Sequence, residues 1–145
     1  MKDQLGVGMV LMDKTRDKPN SIGEMTLIGD VKGKKVIIVD DMVDTGGTLC
    51  TSAEVLLEKG ATEVYACITH GILSGVAYER IGKSKLKTLY ISDTIPVKDV
   101  NDLGVKIPSN IKVISCSDTI AKIIQATREN ASVSTAIKGI YEHHR

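Results

Sequence analysis

Short apolar runs rich in β-branched residues recur along the chain, separated by turn residues and by stretches whose apolar positions return every three or four residues. The runs at 7–12, 25–28, 36–39, 64–69, 86–91 and 111–115 predict strands. Leu49, Cys50, Ala53, Leu56 and Leu57 share one stripe of a helix that ends at Gly60. A second helix is expected over 118–131, capped by Ser117 or Asp118, with Ile120, Ala121, Ile123, Ile124 and Thr127 turned inward; a shorter one covers 76–81. Strands alternating with helices are the pattern of βαβ units joined by right-handed crossovers, so the expected fold class is α/β: a mostly parallel sheet flanked by helices. Val36, Ile37, Ile38 and Val39 are apolar without a break, which predicts a central strand covered on both faces. Residues 13–23 are polar and turn-rich and read as an exposed, mobile loop between two strands. With no internal repeat and no linker, residues 1–145 form a single domain.

Composition narrows the picture. The chain has 145 residues, 42% hydrophobic and 26% charged, without Trp or Phe. Its core must be aliphatic, with Tyr65, Tyr78, Tyr90 and Tyr141 adding the aromatic area. Nineteen basic against eighteen acidic residues leave a net charge of +1, too small a surplus to displace counterions from a nucleic acid in general binding. No window approaches the ~18 apolar residues of a membrane span, and the start lacks the apolar stretch of a signal peptide. The expected location is cytoplasmic. Cys50, Cys67 and Cys116 lie far apart inside apolar runs without metal-ligand spacing and read as buried free thiols.

Chemistry concentrates after the 36–39 run, in Asp40-Asp41-Met42-Val43-Asp44-Thr45-Gly46-Gly47-Thr48. Ligands of open parallel sheets sit beyond the carboxyl ends of the strands. Two adjacent carboxylates there can accept hydrogen bonds from neighbouring sugar hydroxyls, directly or through a bound Mg2+. Asp44 to Thr48 enters a helix, where unpaired N–H groups and the positive dipole end favour a phosphate. Gly46 and Gly47 permit close backbone approach, and Thr45 and Thr48 add hydroxyl donors. The segment suits a sugar phosphate. The same residues also fit a plain helix cap and turn. No Walker loop or G-x-G-x-x-G fingerprint is present.

That segment resembles the phosphoribosyl-diphosphate motif of the type I phosphoribosyltransferase fold. Met12-Asp13-Lys14-Thr15-Arg16, Leu27 to Lys34, Gly60 to Ala66, Thr69-His70-Gly71-Ile72-Leu73-Ser74-Gly75 and Thr94-Ile95-Pro96 extend the likeness. In order and over nearly the whole chain, they resemble the ribose-phosphate diphosphokinases, which are built as two phosphoribosyltransferase-like domains in tandem. The chain looks like most of the second, C-terminal domain, without the N-terminal ATP-binding domain.

The resemblance implies transfer of a diphosphoryl group from MgATP to the C1 hydroxyl of ribose 5-phosphate, giving phosphoribosyl diphosphate and AMP. It implies that Asp40 and Asp41 hold the ribose hydroxyls, that Asp44, Thr45, Gly46, Gly47 and Thr48 hold the 5-phosphate, and that Lys14 and Arg16 are the catalytic cations. It also implies Mg2+ as cofactor, no firm metal ligand within this chain, and a homo-oligomeric intact protein. A separate chain of this extent is expected to be inactive. Ser132-Val133-Ser134 resembles the family's C-terminal effector segment, with Ile137 where an aromatic is expected. His70 is expected to shape its turn and bond locally. Two other readings keep the same loop: a phosphoribosyltransferase, and a non-catalytic synthetase-associated regulatory subunit.

Overall fold

The computed structural model describes residues 6–14, 25–97 and 107–142. Its elements run β1 (Leu11–Lys14), β2 (Met25–Ile28), β3 (Lys35–Val43), α1 (Gly47–Glu58), β4 (Glu63–Gly71), α2 (Ala77–Lys83), β5 (Thr88–Ser92), β6 (Ile111–Ile114), α3 (Ser117–Arg128) and α4 (Val133–Glu142). Strands β3 to β6 form one parallel sheet in the order β3-β4-β5-β6, and β1 pairs with β2 as a separate antiparallel ribbon. The α/β class and the mostly parallel sheet are as expected.

Each crossover moves one strand further in the same direction, and crossovers of one hand then put their helices on one face of the sheet. That face holds the core. Val64, Ala66, Ile68, Leu89, Ile91 and Ile111 point into it and meet Leu49, Ala53 and Leu56 of α1 and Ala77, Tyr78 and Ile81 of α2. Ala53 has no side chain beyond Cβ, so α1 can lie close on the strands. The helix ends where its sequence turns unfavourable: Gly60, at φ 96, follows the cap at Lys59, and the N–H groups of Gly60 and Ala61 return to the carbonyls of Leu57 and Leu56.

The one-sided layering corrects the reading of 36–39. Strand β3 is the edge of the four-stranded sheet, not its centre, and Ile37 and Val39 are 58% and 53% exposed on the face that α1 and α2 leave open. Cys67 is exposed on that same face and Cys116 is half-buried, so only Cys50 is the buried thiol expected of all three. An apolar run records that a strand is hydrophobic, not what covers it.

Other boundaries shift too. The first strand begins at Leu11 and carries Asp13 and Lys14 in its ladder, opposite Thr26 and Met25. Residues 15–23 of the expected loop lie outside the described residues. Strand β3 runs on through both acids to Val43, and β5 starts at Thr88. Helix α3 spans Ser117–Arg128, with Cys116 at its N-cap. Its expected inward face is not buried: Ile120 and Ile124 are exposed, Ala121 and Thr127 also, Ile123 is half-buried, and only Ala126 is buried. The helix packs against α4, an element the sequence reading did not identify, rather than flat on the sheet. The stripe was real, but its partner was misjudged.

Candidate functional site

The site is built at the carboxyl end of β3. Extended backbone sends successive side chains to opposite faces, so Asp40 and Asp41, both within the strand, do not form a common clamp through strand geometry alone. Both are exposed, and the Asp40 carboxylate accepts the N–H of Asp41 at 2.9 Å. Asp40 pairs in register with Ile68 and Met42 with His70, which sets the acids beside the end of β4.

Beyond Val43 the chain turns sharply into α1. Gly46 is the N-cap at φ 72, ψ −1, the left-handed region where a side chain is strained. A Cβ there would also come within 3.1 Å of Ile81 Cγ1. The first helical hydrogen bond is Cys50 N–H to the Gly46 carbonyl at 3.0 Å. Among the described residues, the N–H groups of Thr45, Gly46 and Gly47 have no acceptor. They form a small set of donors at the positive end of a twelve-residue helix.

Three residues distant in sequence hold this loop. The Ser74 hydroxyl donates to Asp44 Oδ1. Arg80 Nη1, from α2, donates to the Thr45 carbonyl at 2.6 Å, and Ile81 packs beneath Gly46. Alongside, His70 Nδ1 lies 2.9 Å from Thr94 Oγ1, and Ser92 Oγ donates to the Thr69 carbonyl at 2.6 Å. His70 therefore bonds across to the end of β5 and not within its own turn as expected. Further along, the Ser115 hydroxyl and the Cys116 N–H both donate to Asp93, holding its carboxyl below the usual carboxylate range. The ends of β3, β4, β5 and β6 thus form a continuous polar rim over an apolar core.

The chain matches, over residues 6–138, the family described as the phosphoribosyl synthetase-associated domain. It belongs to that family. It is 47% identical over 131 residues to the ribose-phosphate pyrophosphokinase of Campylobacter jejuni, covering 90% of this chain and 40% of that protein. Against the ribose-phosphate pyrophosphokinase of Caldanaerobacter subterraneus the identity is 46% over 132 residues, 91% of this chain and 40% of the relative. The crystal structure of phosphoribosylpyrophosphate synthetase from Mycobacterium smegmatis superposes with a TM-score of 0.74 at 34% identity, covering 90% of this chain and 40% of that one. The chain spans about 40% of the length of these relatives. Its α/β architecture is the phosphoribosyltransferase-like fold.

In this phosphoribosyl synthetase-associated domain the other expected site residues are distributed unevenly. Lys14 closes β1, opposite Met25, whose Sδ is 3.5 Å from Ser52 Oγ on α1. The ribbon that carries Lys14 therefore rests on the helix that the loop opens. Arg16 lies outside the described residues. Ser132 sits far from this rim, where its carbonyl and hydroxyl receive the Thr135 N–H at the start of α4. Ile137 is half-buried on α4, and a groove of about 440 Å³ between α3 and α4 is lined by Lys122, Glu129, Ser132 and Thr135. No group of three or more His, Cys, Asp or Glu is placed to hold a metal ion among the described residues. The oxygen donors of Asp40 and Asp41 do fit Mg2+, which is commonly held by one or two carboxylates with waters and substrate phosphates completing its shell.

The sequence alone does not point to Arg80 as a contributor to the rim, and it marks Ser74 and Thr94 only as parts of a resemblance. Arg80 lies on the polar face of α2, where an Arg is unremarked; its aim at Thr45 exists only once β4 and α2 have folded back beside the loop.

Proposed function

We propose that this chain supplies the ribose 5-phosphate-binding part of a ribose-phosphate diphosphokinase, the enzyme that transfers the diphosphoryl group of ATP to the C1 hydroxyl of ribose 5-phosphate. The observation that carries the reading is the left-handed Gly46 turn: it opens α1 with N–H donors that have no acceptor among the described residues, a few residues beyond the two exposed acids of β3. Asp44, Thr45, Gly46, Gly47 and Thr48 would receive the 5-phosphate, and Asp40 and Asp41 the ribose hydroxyls. In the reaction the C1 oxygen attacks the β-phosphorus in line, the bond from that phosphorus to the α-phosphate oxygen breaks, AMP departs, and the C1 hydroxyl gives up its proton. Lys14 and Arg16 would place positive charge against the transferring group, where charge builds in the transition state. Mg2+, when bound, neutralises phosphate charge. ATP binding is assigned to the portion of the relatives that this chain does not match, so the chain by itself would bind the sugar without turning it over. The intact enzyme would be a cytoplasmic homo-oligomer of nucleotide biosynthesis.

Retention of Lys14, Arg16, both acids and the Thr/Gly loop supports a catalytic reading over a regulatory one. The test is titration of the purified chain with ribose 5-phosphate by calorimetry. Saturable binding is expected, weakened roughly tenfold or more in Asp40→Asn through loss of a charged acceptor. No binding, or binding indifferent to Asp40→Asn, overturns the assignment.

A further inference from the structure

The segment that follows β4 grips the loop at successive residues. Ser74 donates to Asp44, Arg80 donates to the carbonyl of Thr45, and Ile81 closes the space beneath Gly46. Of these, the Arg80 contact is the one that aims a donor. In a trans peptide the carbonyl and the following N–H point in opposite directions. With the Thr45 carbonyl drawn to Arg80 on α2, the Gly46 N–H is turned away from that helix, toward the open side of the turn, where it has no acceptor among the described residues. The guanidinium also lies 3.4 Å from where a Cβ on Gly47 would stand, so it lies against the residue that starts α1 as well.

Arg80 is not occupied by its own helix. Glu79 pairs with Lys83, and the residues one turn away from Arg80, Val76, Ala77, Lys83 and Ser84, include no acid. Glu54 of α1 lines the same hollow, yet no ion pair joins it to Arg80 among the described residues. The geometry left to the guanidinium is a short, charge-assisted hydrogen bond to a backbone carbonyl, which is an expensive use of an Arg unless the orientation of that peptide matters.

We infer that Arg80 is a positioning residue for phosphate recognition: acting through the Thr45 carbonyl, it presets the Gly46 N–H toward the phosphate of the sugar. The inference rests on the ribose 5-phosphate reading of the loop and adds a determinant from a different helix. It separates the two ends of the ligand, since the clamp bears on the phosphate turn and not on the strand-end acids.

The experiment compares the 145-residue chain with Arg80→Met and Arg80→Lys. Arg80→Met should raise the dissociation constant for ribose 5-phosphate roughly tenfold or more, as loss of a hydrogen bond from a charged donor requires, while leaving the weak affinity for ribose itself unchanged. Arg80→Lys, which keeps one cationic donor, should recover much of the loss. Without ligand, the 15N–1H heteronuclear NOE of Gly46 and Gly47 should fall in Arg80→Met and rise again in Arg80→Lys. Unchanged NOE values, or equal weakening for ribose and ribose 5-phosphate, would overturn the positioning role. Failure of the unaltered chain to bind ribose 5-phosphate sinks the underlying reading instead; binding by that chain with no response to Arg80→Met sinks this inference alone.

Discussion

Gly46 is the residue on which the site turns, because two separate costs meet there. Its φ of 72 is strained for any side chain, and a Cβ would press on Ile81. Gly46→Ala is therefore expected to destabilise the fold by about 1–2 kcal/mol from the backbone alone and to abolish ribose 5-phosphate binding, measured by urea unfolding and calorimetry. Wild-type stability in that variant would mean that the turn relaxes. Glu63 offers a test of another kind. The Tyr65 hydroxyl donates to it at 2.7 Å and the Lys35 ammonium lies 3.1 Å away, and together they hold its carboxyl below the ordinary 4.5. Since the unfolded chain takes up that proton at higher pH than the folded one, the stabilisation is complete above pH 4.5 and drains away as the pH falls through the lower folded value. Glu63→Gln should flatten the decline of Tm below pH 4.5; superimposable pH profiles would remove Glu63 from the acid response. The presence of Gly46, Thr45 and the acids was legible because they are consecutive. The hold of Arg80 on Thr45 was not, because thirty-five positions separate them.

Among the elements, the sheet carries apolar residues on both faces but buries them unequally. Leu56 of α1 is 1% exposed over the inner face, while Ile37 of β3 is 58% exposed on the outer one. Leu56→Ala should cost about 2–5 kcal/mol through lost burial and a cavity. Ile37→Ala, judged a core change from sequence, should stay within about 0.5 kcal/mol; a loss as large as that of Leu56→Ala in denaturant titration would show that the outer face is covered in solution. Periodicity located α1 and its glycine end correctly, since both depend on neighbours within a turn or two. It misjudged α3, which packs against α4 and leaves Ile120 and Ile124 of the expected stripe exposed, because a stripe specifies that a helix has a partner surface but not which element provides it.

For the whole molecule, the chain spans about 40% of its catalytic relatives, and its proposed share of the work is sugar binding plus the Lys14 and Arg16 cations. A chimera joining it to the unmatched portion of the Campylobacter jejuni enzyme should regain ATP-dependent synthesis, and Lys14→Ala in that chimera should lower kcat by roughly a hundredfold or more while changing the KM for ribose 5-phosphate little. An unaltered kcat would exclude Lys14 from the chemistry. By itself the sequence determined the α/β class and the strand-loop-helix that carries the Asp40 to Thr48 segment; both follow from local patterns, which act over a few residues. Only the tertiary structure decided that β3 is an edge of the four-stranded sheet, that Ile37 and Val39 lie exposed on the face α1 and α2 leave open, that His70 reaches Thr94, and that Arg80 of α2 holds the turn at Gly46. Those facts depend on which distant segments the burial of the core brings together, and no local spacing records that.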